Sequence, residues 1–194
     1  MEAFLVSFSS VATAEMGDRT QLLALVLAAR FRKPWPMVAA VLCATVANHA
    51  IAGLIGVWVG KLLNPDRLGL LVGVSMLAMA LWTLKPDKLD EKQRPISGAG
   101  AFLATLVAFF IAEIGDKTQI ATMALAAAYS SLWAVVAGTT SGMMLANVPV
   151  IFLGNAFANR LPLRAIHYVA SALFLVIGLV FVWRSFHFIQ QRLP

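Results

Sequence analysis

Apolar residues run along this chain in six long blocks, at roughly 3–30, 35–60, 68–84, 99–128, 132–157 and 165–186. Each can supply the ~20 residues that a membrane-spanning helix needs, the third only just. Short polar breaks separate them: "RFRKP", "KLLNPDR", "KPDKLDEKQRPISG", "YSS" and "ANRLPLR", all with the Pro, Gly, Asn, Asp or Ser chemistry of turns. The third break is the longest and the most charged. It divides the chain into a first half (1–84), a linker (85–98) and a second half (99–194), with three apolar blocks in each half. The pattern predicts an all-α integral membrane protein with six transmembrane helices.

Two of the blocks are interrupted by nearly the same eight residues, "AEMGDRTQ" at 14–21 and "AEIGDKTQ" at 112–119. A shift of 98 carries Glu15, Gly17, Asp18, Thr20, Gln21 and Trp35 onto Glu113, Gly115, Asp116, Thr118, Gln119 and Trp133. Asn48 and Asn147 align at 99, and the Pro65/Arg67 pair meets Pro162/Arg164 at 97. The halves are therefore an internal repeat. Three crossings per half is an odd number, so the second copy must enter from the opposite face. That predicts two inverted-topology three-helix repeats related by a pseudo-two-fold axis in the membrane plane, the plan of many secondary transporters.

Composition agrees. Hydrophobic residues make up 60% of the 194 and charged residues 12%, against about 25% charged in soluble domains. The net charge of +6 comes from basic residues scattered through short breaks. There is no basic stripe with interleaved aromatics, which argues against a nucleic-acid partner. Those charges report orientation instead. Nine lie in the breaks after the first, third and fifth blocks (Arg30, Arg32, Lys33, Lys85, Lys88, Lys92, Arg94, Arg160, Arg164) and four on the other side (Lys61, Arg67, Arg184, Arg192). The first group should be cytoplasmic and both termini outside. The start has no basic n-region and carries Glu2, so the first block is expected to be a working helix and not a cleaved signal. The single cysteine, Cys43, excludes an intramolecular disulfide and is expected to be a packing residue. Gly56/Gly60, Gly69/Gly73 and Gly138/Gly142 are small-xxx-small pairs that allow close helix approach.

The repeated motif carries the chemistry. On a continuous helix Glu15 and Asp18, and likewise Glu113 and Asp116, would share a face. An inverted repeat would bring both pairs together, with the Gln21 and Gln119 amides and the Thr20 and Thr118 hydroxyls. Such an oxygen-rich set suits hard cations such as Mn²⁺, Ca²⁺ or Mg²⁺ and not copper or structural zinc. With Arg19 and Lys117 charged, the two motifs sum to −2, which one divalent ion would balance. Metal and protons would compete for the same carboxylates, a physical basis for antiport. The bland alternative is a pair of intrahelical i,i+4 salt bridges, Glu15–Arg19 and Glu113–Lys117. Charges inside a bilayer cost several kcal/mol, so their presence in both copies favours function. Asn48 and Asn147 could face the site as neutral ligands or simply hydrogen-bond between helices. His49 could relay protons, but Val148 or Asn147 stands at its repeat-related position, which favours a local role. Met123 is expected to pack, and Trp58, Trp82 and Trp183 to anchor at the membrane interfaces.

A doubled Glu-x-Gly-Asp-(Lys/Arg)-(Thr/Ser) motif in a six-helix chain resembles the Gdt family of cation/proton exchangers. That family includes Golgi manganese and calcium transporters and bacterial Mne-type manganese exporters. Both copies are intact here, as Glu15-Met-Gly-Asp18-Arg19-Thr20 and Glu113-Ile-Gly-Asp116-Lys117-Thr118. The resemblance implies metal binding by Glu15, Asp18, Glu113 and Asp116, with Gln21 and Gln119 following. It also implies the compact bacterial form, in the inner membrane. Its transported substrate would be Mn²⁺, leaving against protons, with no resident cofactor and no enzymatic activity. A Ca²⁺/H⁺ exchanger is the nearest alternative. An exporter of organic cations such as basic amino acids is further off. An intramembrane acid–base enzyme is weaker still, because it would rarely need its acids duplicated.

The charge count makes orientation testable. In a Cys43→Ser background, Asp90→Cys should resist an impermeant thiol reagent added to intact cells and react once the membrane is opened. Labelling from outside would reverse the topology.

Overall fold

In the computed structural model the described residues are 1–84, 100–153 and 163–190. The charged linker expected at 85–98 lies outside them. The described residues form eight α-helices: α1 (Glu2–Glu15), α2 (Arg19–Phe31), α3 (Pro34–Leu62), α4 (Pro65–Thr83), α5 (Ala101–Glu113), α6 (Lys117–Ala128), α7 (Leu132–Leu153) and α8 (Leu163–Gln190). Prolines open α3 and α4, where a missing N–H costs nothing and the fixed φ already suits a helix. The α3 and α4 helices, α7 and the His167–His187 stretch of α8 are long and apolar enough to cross a membrane.

The first and fourth apolar blocks depart from expectation. Neither is one helix. Each breaks at the repeated motif into two pieces, of 14 and 13 residues in the first block and 13 and 12 in the fourth. No single piece reaches the ~20 residues of a span.

The halves interlock. The α1 and α2 helices pack on α7, while α5 and α6 pack on α3. The first half's broken pair thus leans on the second half's unbroken helix, and the reverse. The α1 helix also meets α6, α2 meets α5, and α4 pairs with α8 along the outside. One apolar cluster gathers Val72, Met76, Leu125 and Phe174 and reaches Ala14 and Ala121 beside the motif. A second gathers Leu27, Met37, Val41, Phe109 and Val150 and reaches Leu23 and Ala112.

The outer surface is as apolar as the core, with Leu54, Leu81, Val176 and Leu179 exposed. A contiguous surface of this kind belongs against lipid. The repeat-related Trp35 and Trp133, at the starts of α3 and α7, are 72% and 74% exposed. Trp58, Trp82 and Trp183 are exposed as well. Cys43 corrects the sequence reading: it is exposed, not packed inside. Lipid and core are both apolar, so hydrophobicity along a membrane helix does not tell which side faces in.

Glycines set the closest approaches. A Cβ placed on Gly56 of α3 would collide with the backbone carbonyl of Met123 on α6. One on Gly142 of α7 would come within 2.7 Å of the Phe8 carbonyl of α1. One on Gly73 of α4 would lie 3.0 Å from the Gly178 carbonyl of α8. All three small-xxx-small pairs are therefore used at helix crossings, and Met123 contributes packing there. Gly56→Ala should destabilise by about 1–3 kcal/mol, because backbone cannot yield as a side chain can. At Gly60 the nearest atom, the Ala127 carbonyl oxygen, would be 3.0 Å away. The gain in helix propensity, about 0.8–1.0 kcal/mol, should then offset much of the cost of Gly60→Ala. Thermal unfolding of the two variants in detergent checks the order.

Candidate metal centre

The two motifs break their helices in the same way. Met16 after α1 and Ile114 after α5 are extended, with φ/ψ of −67/115 and −64/119. Gly17 and Gly115 follow with φ of 84 and 73, in the left-handed region that costs a residue with a Cβ about 1–2 kcal/mol. Asp18 and Asp116 then restart the chain as N-caps of α2 and α6, and their carboxylates accept from the Thr20 and Thr118 N–H groups at 3.5 and 3.3 Å. The glutamines brace each break. Gln21 Oε1 accepts from the Gly17 N–H at 2.9 Å, and Gln119 Oε1 from the Gly115 N–H at 2.8 Å. Gln21 Nε2 further donates to the Ala146 carbonyl of α7 at 2.9 Å. The amide oxygens expected among the metal ligands are thus engaged in holding the backbone turn.

The break changes how the acids meet. They do not share a helical face, since Glu15 ends one helix and Asp18 begins the next. Interruption brings the carboxylates together with two free helix ends. Four N–H groups at the start of each of α2 and α6 carry positive partial charge toward the motif.

The basic residues reach across to the opposite motif. Arg19 Nη2 donates to Asp116 Oδ1 at 2.7 Å, and Lys117 Nζ donates to Asp18 Oδ1. Each cation crosses to the other half and meets the capping aspartate there. Glu15 instead accepts from Thr20 Oγ1 at 2.5 Å, while Thr118 Oγ1 donates to Asp116 Oδ2 at 3.1 Å and lies 3.5 Å from Glu113 Oε2. All four acids are buried, as is Lys117, whereas the Arg19 side chain keeps 23% of its surface exposed.

One oxygen each of Glu15, Asp18 and Asp116 falls within 4.8 Å of the others. Glu113 stands to one side, its Oε2 3.6 Å from Nε2 of the fully buried His49 on α3. The Oε1 atoms of Glu15 and Glu113 are buried without a hydrogen-bond partner among the described residues. Buried acceptors in that state are costly, and a cation would satisfy them.

The asparagines differ. Asn48 Nδ2 donates to the Phe110 carbonyl at 3.1 Å, tying α3 to the last turn of α5 just before Glu113. Asn147 Nδ2 stays within α7, on the Met143 carbonyl at 3.1 Å, and its buried Oδ1 has no hydrogen-bond partner among the described residues. The sequence reading undervalued His49. Repeat symmetry argued for a merely local role, yet α3 carries the ring to the second motif. Its position one residue from Asn48 was the available signal.

A family description, divalent cation/proton antiporter GDT1, matches residues 3–91 and 101–188. The chain belongs to this family. It is 52% identical over 180 residues to a Vibrio cholerae protein named "Putative manganese exporter", covering 92% of this chain and 90% of that one. It is 27% identical to a GDT1-like protein of Synechocystis, over 94% of this chain and 98% of the relative. The chloroplastic protein PAM71 of Arabidopsis thaliana is 34% identical over 93% of this chain and 55% of its own length. No solved structure matches. This chain is accordingly a membrane protein of a divalent cation/proton antiporter family.

The break itself can be tested apart from transport. A Cβ on Gly115 would meet nothing within 4 Å, so Gly115→Ala isolates the cost of the positive φ. Equilibrium unfolding should show a loss of about 1–2 kcal/mol. No loss would mean that the motif is a regular helix.

Proposed function

We propose that this protein exports Mn²⁺ in exchange for protons, using the acids of the two motifs as one shared site. The observation that carries the reading is the gathering of Glu15, Asp18 and Asp116 within 4.8 Å, with Glu113 alongside, in a chain of an antiporter family. The name of the Vibrio cholerae relative favours manganese over calcium as the substrate. The acids are the ligands. Gln21 and Gln119 hold the breaks, Thr20 orients Glu15, and Thr118 orients Asp116. Asn48 fixes α5, and the unpartnered Asn147 oxygen is a supporting acceptor.

In this reading the chain crosses the membrane six times. The α3, α4, α7 and α8 helices cross unbroken, and α1–α2 and α5–α6 each cross as a broken pair. The halves are inverted repeats, and the exchange of packing between them supports that relation. The basic breaks lie in the cytoplasm, and both termini lie outside a bacterial inner membrane. Irregular backbone at membrane depth is tolerated where it lines a protein cavity, and broken helices of this kind form the ion sites of several transporter folds.

Charge dictates the coupling. Four carboxylates against Arg19 and Lys117 leave −2, which one divalent ion neutralises. An emptied site with that charge would face a desolvation cost of several kcal/mol per ion. Each return therefore carries about two protons, and exchange is near electroneutral. In proteoliposomes with the potential clamped, an imposed Mn²⁺ gradient should drive counter-moving protons at a rate insensitive to voltage. Glu15→Gln or Glu113→Gln should reduce Mn²⁺ flux at least tenfold while leaving the protein inserted. Manganese flux without proton flux would indicate a uniporter, and full flux in both variants would remove these acids from the mechanism.

A further inference from the structure

His49 has no counterpart in the other half. The alignment of Asn48 with Asn147 puts Val148 at the related position, so the repeat that doubles the motif acids supplies one imidazole. That ring is fully buried. Neither of its nitrogens makes a hydrogen bond among the described residues. Nε2 points at Glu113 Oε2 from 3.6 Å, beyond hydrogen-bonding length. A buried imidazole without hydrogen bonds is costly, and an apolar side chain would fill the same volume without that cost. Adjacent ligands on bonds of about 2.1 Å stand roughly 3.0–3.4 Å apart. The Nε2–Oε2 separation is close to that spacing.

We propose that His49 is a specificity-determining ligand. With Glu113 it offers a nitrogen–oxygen pair to the cation, and that nitrogen favours first-row transition-metal ions over Ca²⁺ and Mg²⁺. The chemistry is general. Imidazole suits transition metals, whereas carboxylates, carbonyls and water serve Mg²⁺, Ca²⁺ and Mn²⁺ alike. The acids of the two motifs attract any divalent cation, and the nitrogen discriminates among those attracted. The inference rests on the metal-transport reading above and adds to it the residue that chooses the metal.

Glu113 and His49 also stand apart from the cluster of Glu15, Asp18 and Asp116. The ligand that selects is therefore held by α3 and the end of α5, and the attracting charges by the end of α1 and the N-termini of α2 and α6. Asn48, bonded to the Phe110 carbonyl at 3.1 Å, fixes α3 against α5 and so sets the distance from His49 to Glu113.

The test uses the purified full chain with Mn²⁺ and reads the nitrogen directly. Electron spin-echo envelope modulation of bound Mn²⁺ should show coupling to a ¹⁴N nucleus, and that coupling should disappear in His49→Asn. In proteoliposomes the same variant should lose about tenfold in preference for Mn²⁺ over Ca²⁺, as a ratio of apparent KM values. A fold defect would lower transport of both ions together and leave the ratio unchanged. Bound Mn²⁺ without nitrogen coupling, coupling that survives in His49→Asn, or an unchanged ratio would each overturn the proposal. Absence of any bound Mn²⁺ in the parent protein would instead overturn the metal-transport reading, and this inference with it.

Discussion

Among the described residues two ion pairs join the halves of this protein, the buried Lys117–Asp18 and the partly exposed Arg19–Asp116, and the geometry of the centre depends on their crossing. Each aspartate already has a local task, capping the helix that restarts after the break. Each cation is the first residue of the opposite restarted helix. The pairs therefore pin the N-terminus of α2 to that of α6. Two helix ends of like partial charge would repel at such proximity. The carboxylates between them remove that repulsion and at the same time satisfy the ends. Taking away either partner of the buried Lys117–Asp18 pair would typically cost about 3–5 kcal/mol.

A crossed pairing also explains why the motif contains both signs. If each cation answered the glutamate of its own helix, the two motifs would be self-sufficient and could sit anywhere. Because each needs the other, neither half is electrostatically complete alone. The packing says the same in apolar terms, since α1 and α2 rest on α7 while α5 and α6 rest on α3. Crossed ion pairs and exchanged helices give one interlocked body whose seam runs through the acids. Relative movement of the halves would therefore be felt first at the candidate site.

Much of this was legible in the sequence, for definite reasons. The repeat was visible because rare residues recur at one spacing: three charges in eight otherwise uncharged positions, found twice. Glycine pairs foretold the crossings at Met123, Phe8 and Gly178, because nothing else lets backbones meet so closely. The helix breaks were harder. A glycine between two acids fits either a kink or an interruption, and only the positive φ of Gly17 and Gly115 decides. Cation partners were illegible in principle. Spacing along one helix suggests i,i+4 partners, while Arg19 and Lys117 also reach aspartates 97 and 99 residues away. Cys43 shows the same limit from the apolar side, because its surroundings in sequence are equally hydrophobic whichever way it faces.

The remaining asymmetries carry their own argument. The two copies of the motif nonetheless differ in the basic groups around them. Arginine stands where the partner copy has lysine. The arginine side chain keeps 23% of its surface exposed while the lysine keeps 2%. Histidine approaches Glu113, and valine stands at the position related to it. A guanidinium is planar and less strongly hydrated than an ammonium, so it can bridge to a carboxylate while staying partly wet. An ammonium in the dry position is held by close contact with one acid. The Arg19 end is thus the more exposed side of the seam and the Lys117 end the buried one.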